Sequence, residues 1–165
     1  MTERRIDDVP AEWNRLTEQV IGAAMEVHST LGPGLLERLY ENALCVELGL
    51  RNIPFERQAP IRISYKGADI GDQVMDLVVG GVLILELKAI ERVNDVHLAQ
   101  LVSYLRSSTL PLGLLINFNV TRLKDGLFRR LNNTRTSPPN GFLTRHSSPR
   151  PSASSAFIHS GGDEP

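Results

Sequence analysis

From Pro10 onward the apolar residues Trp13, Leu16, Val20, Ala23, Ala24, Val27 and Leu31 recur at three- and four-residue steps, the spacing of a helix with one buried face. Asp7 or Asp8 can cap this helix and Pro10 suits its first turn, while Gly32-Pro33-Gly34 ends it. The stretch LLERLYENALCVELGL then predicts a second helix closing around Gly49, with Leu36, Leu39, Ala43, Val46 and Leu50 as its core-facing stripe. The period next shortens to two. IRISY alternates, Lys66-Gly67 turns the chain, and QVMDLVV and VLILELK flank Gly80-Gly81 as the arms of a hairpin. Asn94 or Asp95 caps a third helix whose stripe is Leu98, Leu101, Val102 and Leu105. Leu112 to Phe118 predicts a buried strand, and TRLKDGLFRRL a short closing helix weakened by Gly126.

This order predicts an α/β fold of α+β character: a central mixed sheet of about four strands flanked by helices. Residues 1–12 form a leader and residues 13–132 the domain. From 133 the chain is rich in Ser and Pro without a periodic apolar face, so residues 133–165 are expected to be a disordered tail.

Composition narrows the function classes. Of 165 residues, 41% are apolar and 22% charged, enough for an ordinary globular core. A formal net charge of −1 argues against avid, non-specific nucleic-acid binding and leaves room for weak or assisted binding. Cys45 is the single cysteine, so an internal disulfide is excluded. The N-terminus has no apolar signal region and no stretch is long enough to span a membrane, so the expected location is cytoplasmic.

The charges inside the apolar hairpin carry the chemistry. Residues 74–90 read VMDLVVGGVLILELKAI, with Asp76 on one arm and Glu86 and Lys88 on the other. Alternation puts Glu86 and Lys88 on one face. Buried charges persist when paired or holding a metal. Two carboxylates beside an ammonium suit Mg²⁺, with Mn²⁺ as a possible substitute, completed by water and a substrate phosphate. The plainer alternative is a structural Glu86–Lys88 ion pair, or charges emerging at a sheet edge. Register is the condition. A two-residue Gly80-Gly81 turn would set Asp76 against Leu85 and throw Glu86 to the other side of the sheet. A three-residue loop, Gly80-Gly81-Val82, or a bulge beside the turn sets Asp76 against Glu86, and glycine supplies the left-handed backbone either needs. The two carboxylates are then expected within about 6 Å, a span that one hydrated cation can bridge.

LILELKA after an aspartate-bearing strand, followed by a helix carrying Gln100-Leu-Val-Ser-Tyr104, resembles the PD-(D/E)xK nuclease superfamily. Gly34-Leu-Leu-Glu37-Arg-Leu-Tyr40, with YKG at Tyr65 to Gly67 and GLLINF at Gly113 to Phe118, resembles the GxxExxY branch of it over Leu16 to Leu131. The resemblance implies a restriction-endonuclease-like core and a Mg²⁺-dependent nuclease acting on DNA or RNA. It implies Asp76 and Glu86 as metal ligands, joined by the Leu87 carbonyl, and Lys88 as the catalytic lysine. Glu37 would be a helix carboxylate facing the site and Gln100 a helper. The alternative is a non-cleaving nucleic-acid-binding or protein-interaction module that retains the fold.

Other residues read more plainly. Tyr40 and Tyr104 are expected to pack with a bonded hydroxyl. Glu37, Tyr40 and Glu41 share one side of a helix, by default a solvated one. His28 and His97 show no metal-ligand spacing. Arg57, Arg62 and Lys66 are candidates for a phosphate track, against a default of scattered surface charge.

Overall fold

The computed structural model describes residues 9–132, so the expected tail and most of the leader lie outside the described residues. Five strands form one sheet in the order β1 (Phe55–Tyr65), β2 (Ala68–Val79), β3 (Leu83–Lys88), β4 (Leu112–Asn117) and β5 (Leu127–Leu131). Only β3 and β4 run parallel; the other pairs are antiparallel. Helix α3 (Asp95–Ser108) makes the β3–β4 crossover, as a parallel pair requires.

Two apolar layers sandwich the sheet. Helices α1 (Ala11–Leu31) and α2 (Glu37–Leu50) pack with Leu77, Val79, Leu83, Leu85, Leu87 and the β4 residues Leu112, Leu114 and Ile116. On the other face, Leu101, Tyr104 and Leu105 of α3 meet Val78, Ile84 and Leu115. Helix α3 is capped by Asn94, whose side chain accepts from the Val96 and His97 amides, while His97 Nδ1 accepts the Asn94 amide at 3.1 Å. His97 is therefore part of a capping box. His28 Nε2 sits 2.8 Å from the Val120 carbonyl oxygen and ties α1 to the segment after β4.

Two expectations are overturned. The face that α2 buries is Tyr40, Glu41, Leu44 and Leu48. Of the stripe expected to face the core, Leu36, Val46 and Leu50 are 63%, 64% and 73% exposed and Leu39 is exposed as well, leaving only Ala43 partly buried. The reason is that both polar residues on the inner face are satisfied there. The Tyr40 hydroxyl donates to the Gly32 carbonyl at 2.6 Å, accepts the Leu35 amide at 3.1 Å, and its ring stacks on Phe118. Glu41 accepts from Arg57 and Gln58. Leu44→Ala is accordingly expected to cost about 2–5 kcal/mol. Val46→Ala should stay within about 0.5 kcal/mol. Urea denaturation of the two variants compares them, and equal losses would contradict this orientation of α2.

The segment TRLKDGLFRRL is a short 3₁₀ turn, Leu123–Gly126, followed by β5 rather than a helix. Hence the sheet has five strands where about four were expected. Gly126 approaches the Asn117 carbonyl so closely that a Cβ there would collide with it, so its glycine allows a close passage of two backbone segments. Strand β5 then covers the outer edge of β4, from Leu127↔Ile116 to Leu131↔Leu112.

Candidate active site

Strands β2 and β3 pair at Val79↔Leu83, Val78↔Ile84 and Leu77↔Leu85, so the loop is Gly80-Gly81-Val82. Both glycines are left-handed, with φ of 59° and 69°. Extending this register places Asp76 opposite Glu86, the arrangement that shared ligation requires. The paired stretch stops there. Where the next ladder bond would form, the Leu87 amide instead donates to Asp76 Oδ2 at 2.8 Å. The Lys88 carbonyl accepts the Phe118 amide across β4, so the alternating Leu87 carbonyl lies on the β2 edge, beside Asp76.

Glu86 is 2% exposed. Its Oε1 accepts from Lys88 Nζ at 2.6 Å, whereas Oε2 is buried without a hydrogen-bond partner. Glu37, the first residue of α2, is half-buried and lies within electrostatic reach of Lys88 and Asp76. The structure therefore brings Glu37, Asp76, Glu86 and Lys88 together. Gln100 reaches them through Tyr104: its Nε2 donates to the Tyr104 hydroxyl at 2.8 Å, and that phenol senses Glu86, Asp76 and Lys88.

One ammonium stands among three carboxylates, and their proton affinities follow. Burial, with Asp76 and Glu37 adding negative potential, outweighs the Lys88 contact and pushes Glu86 up to about 7. Burial likewise raises Asp76 and Glu37. For Lys88 burial favours the neutral amine, but the Glu86 hydrogen bond and the surrounding carboxylates prevail, and its pKa is raised. A carboxyl raised in the folded state holds a proton that the unfolded chain releases. Metal-free stability should therefore fall as pH rises from the ordinary value of 4.5 toward about 7. Thermal melts in EDTA across that window check this, and Glu86→Gln should flatten the decline. An equally steep decline in the variant would contradict it.

Sequence reasoning missed two supporting residues. Asn117, buried at the end of β4, accepts the Ile90 amide through Oδ1 and donates to the Ile90 carbonyl through Nδ2, fixing the chain just past Lys88. An asparagine closing an otherwise apolar strand was the available signal. Glu41, expected on a solvated side, is buried and takes Arg57 Nε at 2.6 Å and Gln58 Nε2 at 2.9 Å. The suggested phosphate track is engaged elsewhere. Arg57 holds Glu41 and Asn42, Arg62 pairs with Asp69 and Asp72, and Lys66 lies over the Tyr65 ring.

The donor set can be tested against a cation. Among the described residues no group of three or more His, Cys, Asp or Glu is arranged to hold a metal. A site here would rest on two carboxylates and a backbone carbonyl, with water supplying the rest, a combination that suits Mg²⁺ and not a closed zinc site. The partnerless Glu86 Oε2 beside Asp76 fits such a ligand set: a buried carboxylate oxygen lacks a partner where a hard cation would supply one.

A mixed five-stranded sheet flanked by helices, with these charges where two strands part, is the restriction-endonuclease-like α/β architecture. The family model described as the PD-(D/E)XK nuclease superfamily matches residues 14–131, and the chain belongs to that superfamily. The pattern in its name reads here as Asp76 and Glu86-Leu87-Lys88, with Met75 in place of the proline. Comparison with curated proteins and with solved structures gave no match.

Proposed function

We propose that the protein is a Mg²⁺-dependent phosphodiesterase that hydrolyses DNA or RNA, from the GxxExxY branch of its superfamily. The observation carrying this reading is the buried Glu86 carboxylate, with one oxygen on Lys88 and the other unpartnered, set by register against Asp76.

Asp76, Glu86 and the Leu87 carbonyl would hold the cation, which when bound would supply positive charge to stabilise a phosphate under attack. Lys88 stays protonated among the carboxylates, orients the attacking water and neutralises charge developing on the phosphate oxygens. Its ammonium is fixed by Glu86, so little reorganisation is needed when that charge appears. Glu37 adds negative potential that keeps Lys88 charged, and Gln100 holds the Tyr104 hydroxyl against the site. Substrate binding is weak or assisted, consistent with the net charge of −1.

Purified protein incubated with single- and double-stranded DNA and RNA, in Mg²⁺, Mn²⁺ or EDTA, tests the reading. Cleavage that needs the cation and is lost in Lys88→Met supports it. Absence of cleavage on all four substrates overturns it in favour of a non-cleaving module on the same fold.

A further inference from the structure

The sheet's facing pattern breaks at the position of Asp76. In the β1–β2 ladder Arg57 pairs with Leu77 and Ala59 with Met75, but Gln58 and Asp76, which face each other between them, form no pair. Gln58 has φ of 51°, a left-handed conformation that non-glycine residues seldom adopt and that surrounding structure must enforce. The enforcing contact is visible. Gln58 Nε2 and Arg57 Nε both donate to Glu41 Oε1, at 2.9 and 2.6 Å. Successive side chains of a regular strand point to opposite faces, so two neighbours can reach one oxygen on α2 only if alternation fails between them.

The slip propagates to both strands. On β1, Phe55 packs with the α1–α2 layer, yet Ala59 and Ile61 join the α3 layer although all three are an even number of residues apart. On β2, Met75 and Val78 lie in the α3 layer although three residues apart, while Leu77 and Val79 face α1 and α2. Asp76 sits at this change of face. Its carboxylate accepts the Leu87 amide at 2.8 Å, where the β2–β3 ladder ends.

We propose that Gln58, anchored by Glu41, is a positioning residue: the break in alternation that it holds beside Asp76 aims the Asp76 carboxylate into the gap beside Leu87, and thereby sets how tightly Asp76 and Glu86 take a divalent cation. The second half rests on the metal-dependent reading above; the first does not. Glu41 is suited to the task because it is buried and lies one helical turn beyond Glu37, so the same helix that presents one site carboxylate braces the strand carrying another.

The test uses the full chain and two readouts, the Leu87 amide proton shift by NMR and Mn²⁺ affinity by calorimetry. In Gln58→Val, a strand-forming residue that disfavours positive φ, the Leu87 amide should move upfield as Asp76 releases it. Mn²⁺ affinity should weaken about tenfold or more, the usual cost of losing a residue that orients a metal ligand. Gln58→Gly, which keeps the backbone conformation but loses the anchor, should show a smaller change in the same direction. Glu41→Gln, which retains the accepting oxygen, should leave the Leu87 amide in place, whereas Glu41→Leu should release it. A general loss of packing would lower the melting temperature without singling out Leu87. An unmoved Leu87 amide in folded Gln58→Val overturns the proposal; if that variant does not fold, an unmoved amide in both Gln58→Gly and Glu41→Leu does so. If wild-type protein takes up no Mn²⁺ while the Leu87 amide responds as described, the positioning role stands and the metal reading falls.

Discussion

Lys88→Met is expected to give a folded protein whose cation-dependent cleavage, on the proposed function, is slower by about a hundredfold or more, the usual loss when a charge aimed at the transition state is removed. Methionine retains most of the aliphatic stem, so packing at the end of β3 is little disturbed. The harder question is what becomes of Glu86, which loses the partner of its Oε1. Stripping one member from a buried ion pair usually costs several kcal/mol because a bare charge is left behind. Glu86 has another course, since its pKa already lies near 7 and removing the neighbouring ammonium raises it further. It should take up a proton at neutral pH, so that the fold is expected to survive. Circular dichroism and single-turnover kinetics separate the two effects: the melting temperature should change by only a few degrees while the rate collapses. A folded Lys88→Met protein with full cation-dependent activity would remove the lysine from the mechanism.

The hairpin was legible because its physics is local. Alternation fixed which residues share a face, and counting outward from Gly80-Gly81 showed that only a three-residue loop or a bulge could set Asp76 against Glu86. The observed loop ends at Val82 with that register. Helix α2 was harder, because its inner face carries Tyr40 and Glu41 while leucines and valine lie outside. An apolar stripe identifies a buried face only when no polar residue finds its partners inside. Glu41 finds them on β1, far along the chain, and nothing local announces that pairing. The end of the domain failed for a related reason. LKDG resembles the start of a helix, and LFRRL lacks alternation because all five β5 residues are partly buried. Its strand conformation comes from the open edge of β4. Likewise, the contribution of Gln58 depends on a backbone conformation that glutamine does not signal.

That Glu37, Asp76, Glu86 and Lys88 come together was legible from a motif and a register, whereas their supporting contacts were not. Glu41, Asn117 and Gln58 act through tertiary partners 17, 27 and 17 residues away, distances over which no periodicity extends. The separation of roles is itself physical. Residues that carry charge into an apolar hairpin stand out by their cost, while residues that brace them look like ordinary polar positions.

The most direct test of the account is Mn²⁺ titration calorimetry on the wild-type chain and on Asp76→Asn. Asparagine preserves the size of the side chain and an oxygen able to accept the Leu87 amide, so the strand end should keep its shape. It removes the negative charge that, with Glu86, would hold a hard cation. One Mn²⁺ should bind per wild-type chain, and binding should be abolished in Asp76→Asn with the fold intact. Unchanged Mn²⁺ binding in the variant would contradict it.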